Sequence, residues 1–222
     1  ANEDWLSDFA EGLAKASATF GIALAGGDTT RGPLTLSLQV HGTVKEGEAL
    51  RRNGAAPGDL ICVSGTLGDA GAALAFLDSP SPSDMERAVL EQYHFPQPRL
   101  TLGQQLVGYA SAAIDVSDGL LADLQHILDA SNVGARVQVN KVPMSAALRN
   151  LEGNKAVNLA LTAGDDYQLC VTIAPEQWAR LPGAVQAELT VIGQIEASPG
   201  LRLDGGQKNV QTQGFDHFGR TV

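Results

Sequence analysis

The sequence has 222 residues, 44% of them apolar, with 15 Lys and Arg set against 25 Asp and Glu for a net charge of −10. That length supports one large core or two smaller ones, and no apolar run is long enough for a helix to cross a bilayer. Without a Lys/Arg cluster, nucleic acid and anionic membrane are poor partners, and a polyphosphate ligand would need divalent cations between it and the carboxylates.

Taken in chain order, Trp5, Phe9, Leu13, Ala16 and Phe20 share one helical face over residues 4–20, with Gly21 as the stop. A short strand over 22–25 leads to the turn Gly26-Gly27-Asp28-Thr29-Thr30-Arg31-Gly32. From Leu34 to Val44, apolar residues alternate with polar ones, which predicts a long strand with one buried face. The charged, Gly- and Pro-rich stretch 45–58 is the candidate domain boundary. Strand 60–64 then enters Gly65-Thr66-Leu67-Gly68-Asp69, followed by an Ala-rich helix to Asp78. Ser83 and Glu86 form a capping-box signature for the next helix, and a further helix is predicted over 100–110. Ala112-Ala113-Ile114 leads into Asp115-Val116-Ser117-Asp118-Gly119. There Ser117 sits at a predicted helix N-cap and Asp118 in the first turn of a helix reaching Asn132. Gly134 closes that helix, and strand 135–139 follows. A short helix near 155–161 precedes Thr162-Ala163-Gly164-Asp165-Asp166 and strand 167–173. The tail alternates strand and turn, with a hairpin signal at Asp204-Gly205-Gly206. Cys62 and Cys170 lie in apolar strand-like runs and read as reduced core thiols, which fits the cytosol.

Three turns carry the candidate chemistry: Asp28 in GGDT, Asp115 and Asp118 in DVSDG, and Asp165 with Asp166 in AGDD. Carboxylates on turns at the ends of regular elements project into crevices where ligands bind. Each turn alone is also what caps and tight turns require. The adjacent pair Asp165 and Asp166 repels itself and calls for a cation or a basic partner. An all-oxygen donor set suits Mg²⁺ rather than zinc. Gly65-x-x-Gly68, between a strand and a helix, reads either as a phosphate cradle or as a plain tight turn. Arg31, Arg52 and Arg99 sit in Gly/Pro-rich loops, where a phosphate clamp and a solvated surface Arg are both open readings. No GxSxG elbow or Ser–His arrangement supports a protein nucleophile.

Longer strings go further. GGDTTRG, RRNGAAPGD, VSGTLGDAGAAL, PQPRL, AIDVSDGLLADLQHI, GARV, TAGDDYQL and GFDHF stand in an order that resembles the thiamine-monophosphate kinase family. That family belongs to a wider superfamily of aminoimidazole-ribotide synthetase-like enzymes. The resemblance covers essentially the whole chain. It implies an α+β fold of mixed sheets in a two-domain aminoimidazole-ribotide synthetase-like architecture. Residues 1–44 would be the end of the N-terminal, ATP-binding and dimerisation domain, and residues 45–222 the complete C-terminal domain. The N-terminal third of the family protein, with further aspartate metal ligands and most of the dimerisation sheet, would be absent.

The implied activity is ATP-dependent phosphorylation of thiamine monophosphate to thiamine diphosphate, by direct in-line γ-phosphoryl transfer. Its partners would be thiamine monophosphate, ATP and several Mg²⁺ ions, in a cytoplasmic protein that is a homodimer at full length. Carried over by motif, Gly27, Asp28, Arg52 and Ser117 would contact ATP, and Asp28, Asp115 and Asp118 would bind metal. Asp165, where family members often have Glu, would be a substrate-binding acid, and Phe215 would contact the thiamine moiety, the aromatic face suiting a cationic thiazolium. Two rival readings are another superfamily enzyme that activates an amide or carboxamide oxygen with ATP, and a non-catalytic nucleotide-binding module.

Overall fold

The structure, a computed structural model, describes residues 2–205. The chain divides into two compact units, Ala1–Thr43 and Val44–Val222.

The first unit holds one long helix, α1 (Glu3–Phe20). Asn2 caps it by accepting the Trp5 N–H at 2.9 Å, and Gly21 ends it in the left-handed conformation, φ 65°. Trp5 and Phe9, one turn apart, stack with ring centroids 5.4 Å apart. The strands predicted over 22–25 and 34–44 do not form. The segment has no regular structure and makes no ladder, and Leu34, Leu36, Leu38, Val40 and Val44 are 52–76% exposed. Alternation prepares a strand, but a strand exists only when a neighbour accepts its N–H and C=O groups, and among the described residues this unit contains no other strand.

In the second unit, six strands of the described residues form one sheet. They are β1 (Leu60–Ser64), β2 (Ala110–Val116), β3 (Gly134–Gln138), β4 (Gln168–Ile173), β5 (Leu189–Glu196) and β6 (Gly200–Asp204). Their order is β2-β4-β1-β5-β3-β6, antiparallel except for the parallel β3–β6 pair. The pleat sends alternate side chains to opposite faces. Ile61 and Val63 of β1, Ile114 and Val116 of β2, and Cys170 of β4 enter the main core. Cys62, Val171 and Ile173 enter a smaller one on the other face. Both cysteines are free and fully buried, and burial pushes the Cys62 thiol up to about 12.

The main core is covered by helices α2 (Asp69–Ala73), α3 (Asp84–His94), α5 (Leu120–Ser131), α6 (Ala146–Glu152) and α7 (Ala156–Thr162). The second face is covered by α4 (Leu100–Gln105), through Leu102 and Leu106, and by α8 (Pro175–Trp178) and α9 (Gly183–Gln186), with Leu181 and Val185. The predicted capping box holds α3: Ser83 N–H donates to Glu86 at 2.6 Å, and Glu86 N–H to Ser83 Oγ at 3.4 Å. Three boundaries differ from expectation. Helix α4 stops at Gln105, short of the predicted Ala110, which begins edge strand β2. Asn132, not Gly134, ends α5 by taking a left-handed φ of 54°. Helix α6, capped by Ser145, was not anticipated. The predicted hairpin at 204–206 runs past the described residues.

Candidate functional site

Strand β2 delivers Asp115 and Val116 to a turn that runs through Ser117, Asp118 and Gly119 into α5. Ser117 is not the N-cap of α5 and Asp118 is not in its first turn. The cap is Gly119, with φ 111° and no side-chain hydrogen bond. The physical reason is Asp123. Its carboxylate reaches back from α5 and accepts the Ser117 N–H at 2.9 Å and the Asp118 N–H at 3.0 Å. Asp123 is 2% exposed. Burial holds its carboxyl above the ordinary range against the pull of those two amides, and the charges of Asp118 and Asp115 push it the same way.

The turn between α7 and β4 docks directly on this one. Asp165 N–H donates to the Ser117 carbonyl at 3.0 Å, and Tyr167 N–H to the Val116 carbonyl at 2.9 Å. Only glycine permits so close an approach. A Cβ on Gly164 would lie 2.2 Å from Ser117 O, and one on Gly119 would lie 2.6 Å from Thr162 O. The adjacent carboxylates of Asp165 and Asp166 turn in opposite directions, which separates their charges. Asp166 points inward, 9% exposed, and accepts the Gly68 N–H at 2.6 Å and the Ala70 N–H at a long 3.5 Å. Burial outweighs those donors and raises its carboxyl to about 7, helped by the charges of Asp69 and Asp165. Asp165 points outward on a backbone of φ 65° and accepts the Tyr167 hydroxyl at 3.0 Å. Tyr167 itself sits at φ 48°. Left-handed residues other than glycine are uncommon and mark turns held by their surroundings.

The Gly65-x-x-Gly68 turn is a joint rather than a cradle, because the N–H groups of Gly68 and Ala70 already serve Asp166. Asp69 accepts Thr66 Oγ1 at 2.8 Å and the Ser145 hydroxyl, which ties the same joint to α6. Ser64 Oγ and Arg99 Nε both donate to Gln168 Oε1 at 2.7 Å, so Arg99 braces the start of β4.

One face therefore gathers Asp115, Ser117, Asp118, Asp165 and Tyr167. The Tyr167 phenol is held above its ordinary value by burial first. Its bond to Asp165 and then the charges of Asp165, Asp115 and Asp118 add to the shift. The donors are oxygens only, which suits a hard cation. Among the described residues no group of three or more His, Cys, Asp or Glu is gathered to hold a metal. Asp115 and Asp118 offer a pair, the number that Mg²⁺ commonly takes from protein while keeping waters and phosphate oxygens.

Arg52 lies exposed in a loop running beside β2. The Arg51 carbonyl accepts the Ala113 N–H at 2.8 Å, and the Arg52 carbonyl accepts Ser131 Oγ at 3.3 Å. Gly27 and Asp28 belong to the first unit, in an exposed loop where Asp28 Oδ1 accepts the Thr29 N–H at 2.8 Å. Phe215 lies outside the described residues.

Residues 1–44 match the AIR synthase related protein, N-terminal domain, and residues 56–206 the AIR synthase related protein, C-terminal domain. A thiamine-monophosphate kinase of Salmonella typhimurium is 42% identical over 98% of this chain and 70% of its own length. The chain belongs to the thiamine-monophosphate kinase family. The thiamine-monophosphate kinase of Stenotrophomonas maltophilia K279a superposes with a TM-score of 0.83 at 43% identity, covering 92% of this chain and 68% of that one. AaThiL complexed with AMPPCP and TMP superposes with a TM-score of 0.67 at 34% identity, over 76% of this chain and 54% of that one. Among the described residues of this thiamine-monophosphate kinase family member, no helix is long and apolar enough to cross a membrane.

Sequence reasoning missed the supporting roles of Asp123, Asp166, Gln168 and Arg99. For Asp123 the signal was present: an acidic residue one turn into a helix, downstream of a Gly-bearing turn. For Asp166 the sequence offered only its adjacency to Asp165.

Proposed function

We propose that this chain forms part of the active site of a thiamine-monophosphate kinase, in which the γ-phosphoryl group of ATP passes in line to the phosphate of thiamine monophosphate. One observation carries the reading. The DVSDG and TAGDDYQL turns are bonded backbone to backbone, so the proposed metal-binding acids Asp115 and Asp118 share a face with the proposed substrate-binding acid Asp165. The acceptor is a phosphate monoester already ionised at neutral pH, so no protein nucleophile and no strong general base is required. What the protein must supply is alignment and charge compensation.

Asp115 and Asp118 are the residues that would hold Mg²⁺, which when bound offsets the charge of both phosphate chains. Ser117, Arg52, Gly27 and Asp28 are assigned to ATP, with Asp28 also a metal ligand, Asp165 to the substrate, and Phe215 to its thiamine moiety. Residues 1–44 are read as the end of an N-terminal ATP-binding and dimerisation domain and 45–222 as a C-terminal domain, in a cytoplasmic homodimer at full length. The test is ADP release by the full-length protein with and without thiamine monophosphate. Stimulation by thiamine monophosphate is expected, and its absence would reject the kinase reading in favour of another ATP-using reaction.

A further inference from the structure

We propose that Tyr167 is a positioning residue, whose hydroxyl holds the Asp165 carboxylate in the orientation that receives the cationic ring system of the substrate. The inference rests on the reading of Asp165 as the substrate-binding acid and adds a residue to it. Three observations support it. The Tyr167 hydroxyl donates to Asp165 Oδ1 at 3.0 Å. Both residues adopt left-handed φ, 65° and 48°, on either side of Asp166, whose buried carboxylate anchors the turn to Gly68. The Tyr167 N–H is bonded to the Val116 carbonyl at 2.9 Å, so the Tyr167 backbone is fixed to the turn that carries Asp115 and Asp118.

A purely architectural role does not account for this arrangement. The Tyr167 side chain is not needed to fill the core: the residue is 38% exposed. At that exposure water would satisfy the hydroxyl nearly as well, so the bond adds little to folding. A left-handed backbone at a bulky residue carries a conformational cost and persists where its surroundings impose it, commonly at ligand sites. What the bond does supply is a fixed rotamer for a short acidic side chain. Aspartate is one methylene shorter than glutamate, so its reach toward a ligand depends more on its orientation. A tyrosine two residues on, brought alongside by the left-handed turn, sets that orientation before substrate arrives, which lowers the ordering cost of binding.

The experiment is steady-state kinetics and thermal unfolding of the full-length enzyme as wild type, Tyr167→Phe, Asp165→Asn and the double variant. For Tyr167→Phe the expected result is a KM for thiamine monophosphate raised about 3- to 10-fold, the scale of one net intramolecular hydrogen bond. The KM for ATP and kcat should stay within about twofold, and the Tm within about 2 °C. The double variant should be no worse than Asp165→Asn, because the hydroxyl acts through the carboxylate. If Asp165→Asn raises the KM while Tyr167→Phe leaves it at the wild-type value, the positioning role is wrong and the Asp165 assignment stands. If Asp165→Asn itself leaves the KM unchanged, the substrate-acid reading has failed, and this inference with it. A Tyr167→Phe variant that loses several degrees of Tm with an unchanged KM would show the bond to be architectural.

Discussion

Two sets of carboxylates meet at the same pair of turns and do opposite work. Asp123 and Asp166 face inward, 2% and 9% exposed, and spend their oxygens on backbone N–H groups of Ser117, Asp118, Gly68 and Ala70. Asp115 and Asp165 face solvent, and Asp118 is half-buried beside them. The inward set fixes the backbone so that the outward set can be held close together despite its repulsion. An acidic residue in a motif is therefore no sign of ligand contact until its direction is known. Asp165 and Asp166, neighbours in sequence, have different jobs.

Substitution can break this division. The largest expected effect is on the outward set: Asp115→Asn or Asp118→Asn in the full-length enzyme should lower kcat by about 100-fold or more, with the thermal midpoint nearly unchanged. Normal turnover with a lowered midpoint would move these two residues into the inward class. The inward set should behave in reverse. Asp123→Ala strands two amide donors and should cost about 2–3 kcal/mol of stability, read by denaturant titration. Any activity loss should follow from a loosened DVSDG turn. A variant as stable as wild type would contradict the assigned role.

Asp166 offers a pH test. Its folded carboxyl is raised to about 7 from an ordinary 3.8, so the native state binds the proton more tightly than the unfolded chain does. Its contribution to stability is then complete below the unfolded value and is lost as pH rises through about 7. Asp166→Asn, neutral throughout, should flatten that part of the stability profile by about 3 kcal/mol between pH 4.5 and 8. Parallel profiles for the two proteins would show that Asp166 ionises normally. The smallest effect concerns Tyr167, whose phenol is held up in part by Asp165. Asp165→Asn should bring its ionisation back toward the ordinary value in an ultraviolet difference titration, and no change would mean that the hydrogen bond does not persist in solution.

How much of this was legible in sequence depends on what each signal encodes. Strand β1 was read to its end residues because an apolar run bounded by Gly-rich turns also finds partners on both sides. Residues 34–44 carry a cleaner alternation and yet stay unpaired and exposed. Periodicity names a face but supplies no neighbour. The helix predicted to reach Ala110 stops at Gln105, and Ala110 begins the strand that pairs with β4. Within the site, the residue types were legible and their directions were not. Whether Asp166 points in or out depends on the Gly68 and Ala70 amides, 98 and 96 residues away in sequence. Ser117 looked like a cap because serine is a common cap residue, but Asp123, six residues on, takes up its N–H instead.

The central claim is that the outward pair Asp115 and Asp118 holds cations and the inward acids hold the chain. Manganese binding to the full-length protein, followed by electron paramagnetic resonance in the presence of AMPPCP, tests it most directly. Asp115→Asn and Asp118→Asn should each weaken or remove bound Mn²⁺, while Asp166→Asn retains the wild-type stoichiometry. Wild-type binding in the first two, or loss of the metal in the third, would contradict the division.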